Sequence, residues 1–119
     1  MRTAEETALL VKLLLYRSDQ KRARISEKTI KLLARRQRLK AGFVRELQDR
    51  LDDAGLMLVE LSSGGYGLIT SASLEGAPTL TAKKYLADDL ARVRNNPTEA
   101  LKAIRREVET DEPMEDNDD

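Results

Sequence analysis

The chain has 119 residues, 40% of them hydrophobic and 35% charged, which is a globular composition and a length suited to one core of ordinary domain size. It contains no Cys and no His, which excludes a disulfide framework, a zinc site with thiolate or imidazole ligands, and a nucleophile activated by histidine. We therefore expect no metal, no cofactor and no enzymatic activity.

The formal net charge is zero, but the charges are unevenly distributed along the chain. Residues 1–50 contain 14 Lys and Arg against 6 Asp and Glu, whereas residues 51–119 contain 7 against 15. Between Arg17 and Arg45, eleven basic residues accompany only two acids. Such a concentration of positive charge repels itself unless a polyanion offsets it, so this segment predicts nucleic-acid binding.

The first helix is predicted to begin after Thr3, because Thr3 and Glu6 have the spacing of a capping box. The apolar run that follows predicts a broad buried stripe, formed by Leu9, Leu10, Leu13 and Leu14. Lys12 interrupts this run, which is too short to span a bilayer, so we expect a soluble, cytoplasmic protein. The polar and basic residues 18–24 are predicted to form a loop.

Two further helices are predicted before residue 56. The pair Ile25-Ser26 is typical of a hydrophobic staple and an N-cap, and opens a second helix that ends at Arg35 or Arg36. Leu39 is expected to anchor the turn that follows. A third helix over residues 40–54 places its apolar side chains inward and ends at Gly55; those side chains are Phe43, Val44, Leu47, Leu51 and Ala54.

After Gly55 the apolar pattern changes from helical to extended. Residues 56–61 and 66–70 flank a Ser-Ser-Gly-Gly sequence, which predicts a β-hairpin with glycines at positions of positive φ. A fourth helix is predicted after Thr81 and a fifth from Thr98, separated by Asn-Asn-Pro. Six of the last ten residues are acidic and none is basic, and residues 110–119 are predicted to be disordered.

One set of spacings points to a known family. Its members are Leu33-Ala34 at the end of the second helix, Leu39 in the turn, Val44, Leu47 and Leu51 in the third helix, and Gly55-Leu56 at its close. With these residues, the segment from Ile25 to Ile69 resembles the winged-helix pattern of bacterial and archaeal transcription regulators. Two features depart from that pattern: Gln37-Arg38 stands where the turn often contains Gly, and the hairpin tip has no Lys or Arg.

The resemblance implies an α+β, mostly helical fold. Residues 1–78 would form the winged-helix domain, with three helices and a β-hairpin. Residues 79–109 would form a helical extension that either completes a monomeric core or pairs with a second copy. The acidic tail, residues 110–119, is open to three interpretations: a solubility segment, a docking segment for another protein, or a competitor that covers the basic surface of its own chain.

The third helix is the predicted recognition element. The face opposite its core residues is expected to carry Ala41, Arg45, Gln48, Asp49 and Asp52. Arg45 and Gln48 are the predicted base contacts, because Arg reads guanine and Gln reads adenine in the major groove. The predicted phosphate contacts around them are Lys28, Lys31, Arg35, Arg36, Arg38 and Lys40. Arg22 and Arg24 are expected to reach a backbone or a minor groove.

These features favour a sequence-specific regulator that binds double-stranded DNA. The alternative is a protein-interaction or assembly module, in which a winged-helix fold presents the basic face to an acidic partner. Binding of RNA or of nucleic acid without specificity is disfavoured by the aromatic content of 3%, because single strands are usually held by stacking on aromatic rings.

Overall fold

A computed structural model describes residues 1–110 of the chain. The predicted disorder of the acidic tail lies outside the described residues, except for Thr110, which ends the last helix. The described residues divide into two compact units, residues 1–77 and residues 78–110. The described part is α+β and mostly helical, as predicted, with six helices and one three-stranded antiparallel sheet.

The first unit consists of four helices and the whole sheet. In chain order its elements are α1 (Ala4–Ser18), β1 (Arg22–Ile25), α2 (Glu27–Ala34), α3 (Ala41–Asp53), β2 (Leu56–Glu60), β3 (Tyr66–Thr70) and α4 (Ser71–Glu75). The strand order is β1-β3-β2, so β3 lies in the centre and pairs antiparallel with both neighbours. The short helix α4 lies between the hairpin and Thr81, where no helix was predicted.

The predicted helix boundaries are confirmed where a local capping interaction sets them. Thr3 and Glu6 form the reciprocal capping box at the start of α1. Ser26 accepts a hydrogen bond from the Thr29 amide at the start of α2. Gly55, directly after α3, has a φ of +83°, a conformation that L side chains rarely adopt. Each of these signals depends only on residues within one turn of the helix end.

The core lies between α1, α2, α3 and the inner face of the sheet. The four apolar residues predicted for the inward face of α3, Phe43, Val44, Leu47 and Leu51, are all buried, while Ala54 is half-buried. Leu39 packs against the core from the turn between α2 and α3, as predicted. From the sheet come Ile25, Leu56, Leu58, Tyr66 and Leu68. This packing fixes the orientation of α3 and therefore of its outward side chains.

The predicted loop over residues 18–24 is wrong in its second half, because residues 22–25 form β1. Ile25 is buried opposite Tyr66, and Arg22 is opposite Ile69. A four-residue strand with two arginines has little β propensity of its own. It forms because the central strand β3 offers a free edge of backbone donors and acceptors on that side.

The predicted buried stripe of α1 is also wrong. The buried face consists of Ala4, Thr7, Ala8, Val11 and Leu15, whereas Leu9, Leu13 and Leu14 are exposed and Leu10 is half-buried. Because α1 is apolar around most of its circumference, the periodicity does not identify which face packs inward. The side with small residues packs inward, which allows α1 to approach α2 and α3 closely.

The second unit contains α5 (Ala82–Asn95) and α6 (Pro97–Thr110), which pack on each other. Thr81 caps α5 by accepting a hydrogen bond from the Lys84 amide, and the break between the helices falls at Asn96, within the predicted Asn-Asn-Pro sequence. No side chain of α5 is fully buried, and Val93 and Ile104 are half-buried.

Candidate nucleic-acid interface

The connection between α2 and α3 brings basic residues together at its start. The backbone of Arg35 is left-handed, with a φ of 52°, and its amide donates a hydrogen bond to the Leu32 carbonyl at the end of α2. This conformation is typical of the residue that terminates a helix, where glycine is usually found. The helix α2 therefore ends at Arg35, and the side chain of Arg35 is exposed.

Four of the predicted phosphate contacts line one surface groove: Lys28, Lys31, Arg35 and Arg36. Lys31 is half-buried and forms an ion pair with Glu27 one turn earlier, at 3.3 Å. Thr29 and Gln37 line the same groove. These two residues are not among the predicted contacts, because an uncharged polar side chain adds nothing to a charge pattern.

Arg36 lines this groove and also contacts other parts of the fold. Its guanidinium stacks on the Phe43 ring, 3.8 Å from the ring centroid, and its Nη2 donates a hydrogen bond of 2.8 Å to the Arg2 carbonyl. Its Nε is buried without a hydrogen-bond partner. Arg36 thus fastens the turn both to α3 and to the N-terminal segment, and much of its guanidinium faces the protein.

The N-terminus of α3 is open. Lys40, the N-cap residue, makes no side-chain capping hydrogen bond, and Ala41 and Gly42 are exposed. A Cβ placed on Gly42 would meet no atom within 4 Å. The first amides of α3 therefore lack a side-chain cap and are approachable, which is the arrangement in which helix N-termini bind phosphate. Arg45 is exposed one turn further on.

Gln48 does not lie on the outward face, contrary to the prediction. It is half-buried, and its Nε2 donates a hydrogen bond of 3.0 Å to the carbonyl oxygen of Leu58 in β2. On a helix of 3.6 residues per turn, Gln48 lies only about 40° from the buried Val44, at the edge of the packed face. Its amide links α3 to the sheet, which leaves Arg45 as the predicted base contact whose side chain is exposed.

Arg22 and Arg24 lie on β1, where the burial alternates between residues. Both side chains are exposed, while Ala23 is half-buried and Ile25 is buried. The two arginines line a second groove together with residues of β2 and β3, namely Val59, Gly67, Leu68 and Ile69. The strand thus positions both guanidinium groups at the edge of the sheet, away from the core.

Within residues 1–110, seven of the predicted binding residues are exposed cations that form no ion pair: Arg22, Arg24, Lys28, Arg35, Arg38, Lys40 and Arg45. The C-terminal half of α3 is net negative, because the exposed Asp49, Asp52 and Asp53 outnumber Arg50 there. The positive surface therefore covers α2, the turn and the first turns of α3, and it ends where these aspartates begin.

The hairpin tip has the backbone that the glycines predicted. Gly64 and Gly65 have φ values of 102° and 74°. A Cβ on Gly65 would also lie 3.3 Å from the Ile25 carbonyl oxygen. Tyr66 is buried in β3, and burial raises the pKa of its hydroxyl above the ordinary 10.0, with further contributions from Glu60 and Glu27.

No protein-family model matches this sequence, and neither the curated proteins nor the solved structures include a significant match. Within residues 1–110, no group of three or more His, Cys, Asp or Glu side chains has the arrangement of a metal site. In the same part of the chain, no helix has both the length and the apolar character needed to cross a membrane. The geometry of the basic surface is therefore the basis for assigning a function.

Proposed function

We propose that this chain is a winged-helix protein that binds double-stranded DNA as a sequence-specific transcription regulator in the cytoplasm. The observation that carries the proposal is the set of seven exposed cations without an acidic partner among the described residues. Cations that the protein leaves unpaired on one short segment are available to phosphate, and phosphate contacts supply most of the affinity of DNA-binding proteins.

The order of elements supports this assignment. A helix, a short strand, two helices and a hairpin follow one another, and the short strand pairs with the second strand of the hairpin. This order is the one expected of a winged helix, in which the helix before the hairpin would enter the major groove. Here that helix is α3, and its open N-terminus with Arg45 would meet the duplex, while Lys28, Arg35, Arg38 and Lys40 contact phosphates.

The charge distribution along α3 suggests how it would dock. Its first two turns carry Lys40 and Arg45 against one acid, Glu46, whereas its last two turns carry three exposed aspartates against one base, Arg50. A helix lying flat along the groove would bring those aspartates near phosphate. Entry by the N-terminal end avoids that repulsion and is the usual orientation of a recognition helix.

A salt titration of binding to duplex DNA tests the proposal. The logarithm of the association constant should fall with the logarithm of salt concentration by about 0.9 for each phosphate contact, so several contacts give a steep slope. Affinity for duplex DNA that is weak even at low salt would refute the proposal.

The role of Arg45 has a matched control on the same helix. Arg45→Ala should reduce the preference for a selected DNA site, whereas Arg50→Ala should leave binding unchanged, because Arg50 lies beside α1 in a groove with Glu5, Glu6 and Asp53. Uniform weakening on every sequence would assign Arg45 to phosphate rather than to a base edge. An effect of Arg50→Ala equal to that of Arg45→Ala would argue against docking by the N-terminal end of α3.

The second candidate function is protein interaction, in which the basic surface meets an acidic partner. It is favoured by Gln48, whose amide is held by the Leu58 carbonyl, because Arg45 is then the one exposed side chain left of the two predicted base readers. The same titration separates the two functions, because this candidate predicts weak duplex binding at low salt. Saturable binding of an acidic protein or peptide by the same chain would support it.

Two expectations about the C-terminal segments belong with the proposal. Pairing of two copies through residues 79–109 is supported by the absence of fully buried side chains in α5, and would let a dimer read two half-sites.

Residues 110–119 could compete with DNA for the basic surface, or could bind another protein. If they compete, their deletion tightens binding to random DNA at low salt, and unchanged affinity would remove that interpretation.

A further inference from the structure

The outward face of α1 is the most apolar exposed surface of the first unit. Leu9 is 69% exposed and Tyr16 is 81% exposed, and Leu13 is exposed between them on the same face of the helix. Leu14 is also exposed, but it lies about 100° around the helix from Leu13, in a groove beside β1. These side chains cannot turn inward, because the opposite face of α1, from Ala4 to Leu15, is already packed against the core. The fold therefore leaves a leucine-rich stripe without a partner in the first unit.

The stripe has the composition of a protein-protein interface. Its centre consists of leucines and one tyrosine, and charged residues flank it: Glu5, Glu6, Lys12 and Arg17. An apolar centre inside a polar rim is the usual anatomy of such interfaces, and tyrosine is enriched among the residues that dominate their affinity. Scattered single apolar residues need no explanation on a protein surface, but a contiguous stripe along one helix does.

We infer that this face of α1 binds the same face of a second copy of the chain, with the two helices antiparallel. The charges along α1 point to this occupant and to this orientation. The acids Glu5 and Glu6 lie in the first turn, and Arg17 lies in the last. Antiparallel pairing therefore brings the acidic end of each helix beside the basic end of the other, and it also opposes the two helix dipoles.

The apolar residues fit the same register. When Leu9 of each copy is opposite Leu13 of the other, Glu6 of each copy lies within one residue of Arg17 of the other. Glu6 and Arg17 are only about 20° apart around the helix, so they lie on the same side of the stripe, whereas Glu5 is about 120° from Arg17. A parallel arrangement would instead place Glu6 beside Glu6 and Arg17 beside Arg17. Charge and hydrophobicity thus select one two-fold arrangement of this helix pair.

The expected dimer is weak. The helix α1 has 15 residues, which is a length of about 22 Å, so a single pair of such helices buries less than the roughly 800 Å² per partner of a standard stable interface. We expect a dissociation constant in the micromolar range. The inference is independent of the proposed DNA binding, because no residue of the stripe belongs to the basic surface.

Cysteine cross-linking of the full chain tests the register, because the natural sequence has no Cys. A mixture of Leu9→Cys and Leu13→Cys chains should form a disulfide-linked heterodimer, since those positions face each other. Either variant alone should cross-link poorly, because Leu9 in the two copies would be offset by four residues, about 6 Å along the axis, beyond the approach that a disulfide requires. Preferential cross-linking of Leu9→Cys with itself would overturn the antiparallel arrangement.

Sedimentation across the micromolar range tests the surface. The variant Leu9→Ser/Tyr16→Ser should be monomeric where the natural chain is dimeric, and Leu32→Ser is the control, because Leu32 is 72% exposed on α2 outside the stripe. Circular dichroism checks that each variant is folded. A natural chain that is monomeric throughout overturns the inference. So does a dimer that survives the α1 variant and is lost in Leu86→Ser, because α5 would then hold the dimer together. Unchanged duplex binding by the α1 variant keeps this result separate from the proposed function.

Discussion

Replacing Arg35 separates the stability of the turn from the binding role of its charge. Arg35 has a left-handed backbone with a φ of 52°, which costs an L residue about 1 kcal/mol relative to glycine. Arg35→Gly removes that strain and the charge together, whereas Arg35→Ala removes the charge and keeps the strain. We expect the glycine variant to be about 1 kcal/mol more stable than the alanine variant, or roughly 4 to 8 °C in Tm for a unit of this size.

Both Arg35 variants should lose the same amount of DNA binding. If Arg35 contacts a phosphate, each variant lowers the magnitude of the salt slope by about 0.9. Asp19→Gly is the stability control: Asp19 is also left-handed, with a φ of 58°, and lies outside the basic surface. It should raise Tm without reducing the salt slope. A glycine variant less stable than the alanine variant would refute the argument from strain, and an unchanged slope would remove Arg35 from the interface.

Three further predictions concern the fold. Leu47→Ala should lower the free energy of unfolding by about 3 kcal/mol in urea titration, because Leu47 is completely buried, whereas Leu9→Ala should change it by less than about 0.5 kcal/mol. Arg2→Ala should cost about 1 kcal/mol, because Arg2 Nη1 donates a hydrogen bond to the Leu33 carbonyl; no loss in thermal unfolding would contradict this. The pKa of Tyr66 is raised in the folded state. The stabilisation that comes from this shift is therefore complete below pH 10 and is lost as the pH rises above 10. Tyr66→Phe should reduce the fall of Tm above pH 10, and an unchanged pH profile of Tm would contradict this.

Local signals in this chain predicted local structure well. The capping box at Thr3, the N-cap at Ser26 and the positive φ of Gly55 each depend on interactions within a few residues, and each is confirmed. The inward face of α3 is confirmed because its apolar residues occupy one side of the helix and its charged residues the other. In such a helix only one orientation buries the apolar residues and exposes the charged ones, so the sequence pattern identifies the face that packs inward.

The wrong predictions concern features that depend on distant residues. The strand β1 exists because β3 offers it a pairing edge, which the residues of β1 do not encode. The inward face of α1 is chosen by how closely its small residues approach α2 and α3, since both faces of the helix are apolar. Gln48 was assigned to the outward face although it borders Val44, and the carbonyl that holds it belongs to β2. In each case the deciding partner is more than a helical turn away in sequence.

The two unpaired surfaces of the first unit differ in the physical force that would attract a partner. The basic surface on α2 and α3 acts through long-range electrostatics, which weaken as salt screens them. The stripe on α1 acts through burial of apolar area, which salt leaves intact or strengthens. Raising the salt concentration should therefore separate the two associations in one preparation, with duplex binding lost while pairing through Leu9 and Leu13 persists. This opposite response follows from the side chains on each surface and does not depend on which DNA sequence the proposed regulator would bind.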